Sequence, residues 1–123
     1  MFGAYTQCSW PKGAAGRRVV DRSGQSFLFS LVNATGRAVR FSLRDKSDAI
    51  GMTCGGGVRF GGHGCIFTLY RGKTEAGEAA GNLAYSLSEE SAYQPDDGKM
   101  NRGVDFFAGS EFFAAADIEV YEL

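Results

Sequence analysis

Along the chain, apolar residues gather in short runs separated by glycine-bearing turns. Phe27, Leu28, Phe29, Leu31 and Val32 form a nearly unbroken run, too short for a typical helix, which predicts a strand buried on both faces. Asn33-Ala34-Thr35-Gly36 carries turn chemistry, with Gly36 free to take positive φ. Beyond it Val39, Phe41 and Leu43 alternate with Arg40, Ser42 and Arg44, a period of two that predicts a half-buried strand with a basic outer face. Shorter apolar pieces at Ala49 to Met52, Val58 to Phe60, Cys65 to Tyr70 and Leu83 to Leu87 read as further strands. Gly55-Gly56-Gly57 reads as a turn or bulge, and Pro95-Asp96-Asp97-Gly98 as a turn. Arg71 to Asn82 is polar and loop-like, with one helical turn expected around Glu75 to Ala80.

About seven or eight such strands, with turn signals roughly every 8–12 residues, predict a mostly β fold: a two-layer antiparallel β-sandwich with short peripheral helical turns. The expected core includes Phe27, Phe29, Leu31, Phe41, Leu43, Ile66, Ile118 and Val120. In the doublets Phe106/Phe107 and Phe112/Phe113, strand geometry would point neighbours to opposite faces, so one member of each needs a second layer or a partner. The 123 residues suit a single domain, 1–123, and the 18 glycines against 2 prolines suit many tight turns.

Charge narrows the partners. A formal net charge of -1 with scattered basic residues supplies no field for gathering phosphates, so nucleic acid is not expected. No apolar run reaches the length of a membrane helix, and the first ten residues hold no signal-like apolar region. Three cysteines, Cys8, Cys54 and Cys65, form no CxxC pair and leave a thiol over, which points to the reducing cytosol or nucleus. The sequon Asn33-Ala34-Thr35 is then expected to stay unused.

Candidate chemistry is sparse. His63, two positions before Cys65, could suggest zinc or an activated thiol, but a structural zinc site closes with four ligands and a catalytic pair needs an orienting third group. Residues at i and i+2 share a strand face in any case. The glycines at 55–57 and 61–64 match neither phosphate-loop spacing. The carboxylates Glu75, Glu78, Glu89, Glu90, Asp96 and Asp97 sit in polar surroundings that do not separate an acid from a base. No catalytic residue, cofactor or metal site is expected.

Five segments occur in an order that resembles the TLDc family of oxidation-resistance proteins. They are Phe2-Gly3-Ala4-Tyr5-Thr6 followed by Trp10, Ser26-Phe27-Leu28-Phe29-Ser30-Leu31, Phe60-Gly61-Gly62, Phe107-Ala108-Gly109-Ser110 and Ile118-Glu119-Val120-Tyr121. The resemblance spans essentially the whole chain, although the portion that usually precedes the first of these strands is missing. Cys65 stands where the family commonly has an acidic residue. The resemblance implies two antiparallel sheets with short helices at the edges, a link to oxidative-stress protection, and binding to the vacuolar proton pump (V-ATPase) without an established catalytic mechanism. A missing N-terminal portion implies an open sheet edge and self-association.

The expected function is therefore a non-catalytic interaction domain, with a thiol-based antioxidant enzyme or redox sensor using Cys8 or Cys65 as the alternative. The expected docking surface comprises the glycine loop (Gly61, Gly62, His63), the acidic stretch (Glu89, Glu90, Asp96, Asp97) and the C-terminal segment with Glu119 and Glu122. In this scheme acidic groups steer a basic partner and an exposed aromatic supplies most of the binding energy.

Overall fold

A computed structural model describes residues 1–9, 16–33, 35–52, 58–61, 67–69, 82–84, 91–99, 106–107, 112–113 and 121. Within them the chain is mostly β and forms two antiparallel sheets. The first has four strands in the order β1 (Phe2–Tyr5), β3 (Phe27–Ser30), β4 (Val39–Leu43), β9 (Tyr93–Pro95). The second has six, in the order β10 (Phe112–Phe113), β8 (Asn82–Ala84), β7 (Phe67–Leu69), β6 (Val58–Phe60), β5 (Ile50–Met52), β2 (Arg18–Val19). A 3-10 turn, Lys46–Asp48, leads into β5, with Asp45 capping it by accepting from the Ser47 N–H at 2.9 Å.

The core lies between the sheets. Leu28, Val39, Phe41, Leu43 and Tyr93 face it from the first, and Ile50, Val58 and Phe60 from the second. Phe106 and Phe107 fill it further, packing edge to face at 5.5 Å and meeting Phe41 at 5.9 and 5.1 Å. Both members of this doublet are buried. They occupy a turn, where the strict alternation of a strand does not apply, so neither needs an outside cover.

The strand β3 corrects one expectation. It buries only one face: Leu28 and Ser30 are buried, whereas Phe27 and Phe29 are half-buried. The register Ala4↔Leu28↔Phe41 puts Leu28 between the sheets and so turns Phe27 and Phe29 to the outside. Leu31, also expected in the core, is 46 % exposed, because the chain leaves the sheet there with its N–H bonded to the Met1 carbonyl at 2.8 Å. Phe41 and Leu43 are core residues, and Arg40, Ser42 and Arg44 follow the outer face of β4. Ile66, Ile118, Val120, Gly55 to Gly57 and the turn expected at Glu75 to Ala80 lie outside the described residues.

The turns follow their residues. Gly36 has φ 66° and donates to the Asn33 carbonyl at 3.1 Å, while Gly98 has φ 69° and donates to the Pro95 carbonyl at 3.1 Å. One backbone oxygen takes hydrogen bonds from both sheets. The Ala49 carbonyl accepts from the Tyr93 hydroxyl of the first sheet at 2.7 Å and from the Gly61 N–H after β6 at 3.2 Å.

Candidate interaction face

The outer face of the four-stranded sheet carries the side chains released by the register. Phe29 stands opposite Gly3 and Arg40, and Phe27 stands opposite Tyr5 and Ser42. Tyr5 stacks on Phe27 with centroids 5.2 Å apart, and Phe27 meets Phe29 at 6.4 Å. Gly3 has a specific part in this. A Cβ there would come within 2.7 Å of Phe29 Cζ, so the absent side chain lets the ring lie against β1.

Arg40 completes the group. Its guanidinium carbon sits 4.2 Å from the Phe27 ring centroid, a cation–π contact, and its Nε is 3.8 Å from Asp96 Oδ2. The Asp96 N–H donates to the Arg40 carbonyl at 2.9 Å, which extends the β4–β9 ladder into the Pro95–Gly98 turn. Arg44 is exposed at the end of β4. Three aromatic rings and the Arg40 guanidinium thus occupy a sheet face outside the core.

A second polar assembly sits at the end of β3. Asp21 is 2 % exposed, and its carboxylate accepts from the Ser23 N–H at 3.0 Å, the Ser23 hydroxyl at 2.6 Å, the Gly24 N–H at 3.1 Å and the Ser26 N–H at 2.9 Å. Burial alone would raise its pKa, but the hydrogen bonds from Ser23, Ser26 and Gly24 outweigh that and hold it well below the usual carboxylate range. The Ser26 hydroxyl donates to Thr6 Oγ1 at 3.0 Å, and the Cys8 N–H donates to the same oxygen at 3.0 Å. Burial, reinforced by the nearby negative charge of Asp21, pushes the Tyr93 hydroxyl far above the ordinary phenol value.

Of the residues expected to form a docking surface, Gly61, Asp96 and Asp97 are among the described residues. Gly61 is buried with φ 80°, and its N–H donates to the Ala49 carbonyl at 3.2 Å. Asp96 and Asp97 are exposed, but each is engaged locally. Asp96 pairs with Arg40, and Asp97 accepts from the Lys99 N–H at 3.1 Å. Gly62, His63, Cys65, Glu89, Glu90, Glu119 and Glu122 lie outside the described residues. Tyr121 of the C-terminal segment is 75 % exposed. Cys8 is half-buried against the core, and its thiol lies 3.8 Å from the Val20 carbonyl, to which it donates.

The position of Tyr5, Phe27 and Phe29 outside the core is not evident from the run of residues alone. A run that is apolar at both parities does not say which parity faces inward. The readable signal is Gly3, a small residue in register with Phe29, together with the polar Arg40 and Ser42 on the neighbouring strand. Among the described residues no group of three or more His, Cys, Asp or Glu could hold a metal ion, and no helix is long and apolar enough to cross a membrane. Comparison with family models, with curated proteins and with solved structures finds no match to this chain.

Proposed function

We propose that this chain is a non-catalytic interaction domain of the oxidation-resistance type, acting in the cytosol in oxidative-stress protection by docking on the vacuolar proton pump. The ordered segments from Phe2-Gly3-Ala4-Tyr5-Thr6 to Ile118-Glu119-Val120-Tyr121 support the family reading. One observation carries the binding reading: Tyr5, Phe27, Phe29 and Arg40 form a contiguous group on a sheet face outside the core. Aromatic and arginine side chains are the ones that dominate interface energies. With Arg40 and Arg44 at this face, its complement is a partner surface carrying carboxylates around an apolar centre.

The test uses the purified peripheral sector of the vacuolar proton pump and the full chain. Wild type is expected to bind, and Arg40→Glu together with Tyr5→Ala to reduce affinity at least tenfold while the far-UV circular dichroism spectrum is retained. Absence of wild-type binding defeats the pump as partner. Binding that is indifferent to both substitutions defeats this face.

A further inference from the structure

We propose that the exposed surface formed by Arg17, Arg18, Val20, Arg22 and Lys46 adsorbs to a lipid bilayer rich in anionic headgroups. The charge of the chain is divided unevenly. Nine of the 13 Lys and Arg residues, but only three of the 14 Asp and Glu, fall within residues 1–60, an asymmetry that the overall charge of -1 conceals. Chains divided in this way are suited to meeting an anionic surface with one end.

The fold sharpens the division where β2, the loop after it and the 3-10 turn meet. The Asp21 N–H donates to the Lys46 carbonyl at 2.9 Å and Lys46 Nζ donates to the Arg22 carbonyl at 3.4 Å, so loop and turn form one platform. The stem of Lys46 lies over Gly24, where a Cβ would come within 2.7 Å of its Cε. Arg17, Arg18, Arg22 and Lys46 are exposed, and Val20, two residues from each of Arg18 and Arg22, is 54 % exposed. The three acidic residues of this half of the chain all lie in the loop or beside the turn, yet two are buried. Asp21 is turned inward onto its four hydrogen bonds, and Asp48 lies beneath Arg18, with Nε 3.5 Å from Oδ1. Asp45 is exposed and accepts from the Ser47 N–H and hydroxyl at 2.9 and 2.6 Å. The platform therefore presents four cations and an apolar side chain against one carboxylate. None of these residues is aromatic, so the platform lacks the ring that anchors a protein interface or stacks on a base. Basic side chains are drawn to an anionic leaflet without a fixed pocket, and an exposed valine among them suits the headgroup boundary. This surface is separate from the aromatic face and does not depend on the pump as partner.

The test is co-sedimentation of the full chain with vesicles of phosphatidylcholine alone and of phosphatidylcholine with about one-third phosphatidylserine. Binding is expected to the second only, and to fall at least tenfold as salt rises from about 0.05 to about 0.5 M. Arg22→Gln with Lys46→Gln removes two charges from the platform. Arg37→Glu makes the same change in net charge in the turn before β4, at the opposite end of that strand from the 3-10 turn. The pair of substitutions is expected to weaken vesicle binding at least tenfold and Arg37→Glu less than twofold, with the melting temperature retained in both. The salt series uses the wild type alone and so decides the matter even if a variant does not fold. Failure of the anionic vesicles to bind, equal losses in the two variants, or capture of the chain by a duplex DNA oligonucleotide or a glutamate-rich peptide in place of the vesicles overturns the proposal.

Discussion

Replacing Asp21 by Asn keeps the shape of the side chain and removes its charge. Oδ1 receives three of the four hydrogen bonds, from the Ser23 N–H and hydroxyl and the Gly24 N–H, so an asparagine oxygen can serve them. Oδ2 receives the fourth, from the buried Ser26 N–H, and there an amide nitrogen would confront donor with donor. One lost charge-assisted bond and one orphaned N–H should cost about 2 kcal/mol, which for a domain of this size lowers the melting temperature by roughly 6–10 °C. The pH dependence has a definite sign. The folded pKa of Asp21 is depressed, so its contribution is complete above the unfolded value of about 4 and declines as pH falls below it, by up to about 1.4 kcal/mol per pH unit. Urea unfolding followed by circular dichroism should therefore show a gap between wild type and Asp21→Asn that is largest at neutral pH and narrows from about pH 4 downward. Equal midpoints at neutral pH, or a constant gap down to about pH 3, would refute the reasoning.

At the other end of the scale, Tyr93 remains neutral in the fold beyond the ordinary phenol range. Alkaline unfolding should begin near pH 10 as the unfolded tyrosine ionises, and Tyr93→Phe should weaken that dependence while costing about 1 kcal/mol at neutral pH for the lost bond to Ala49. Gly98→Ala, at φ 69° in open space, should cost about 1 kcal/mol through backbone strain alone, measured by thermal melting. Gly3→Ala should tilt the Phe29 ring off β1, read as a changed Tyr5–Phe27–Phe29 pattern in aromatic NMR shifts. Cys8→Ser should leave peroxide protection in cells intact; its loss would restore the thiol-based reading.

The parts of the fold legible in the sequence are those in which one residue decides the outcome locally. Gly36 and Gly98 take positive φ where turn chemistry predicts it, and the alternation from Val39 to Arg44 places each side chain on its expected face. Phe27 and Phe29 depart from the expected core because their inward parity is set by pairing with Ala4 and Phe41, which are distant in sequence. The two-residue β2 is too short to carry a period, and β9 ends in a proline that reads as turn chemistry. Asp21 has no local mark either, since its acceptance of the Ser26 N–H depends on a loop folding back five residues later.

The carbonyl of Ala49 sets a limit on how this sandwich can vary. It is a main-chain atom in a residue with no exposed surface, so no substitution at position 49 deletes it. The coupling it makes between the sheets can be edited only from its donors, the Tyr93 hydroxyl and the Gly61 N–H. One of these is itself backbone. Phenylalanine at 93 would leave the oxygen one donor while the ring keeps its place in the core. The tyrosine is thus the half of this contact that a side-chain substitution can change.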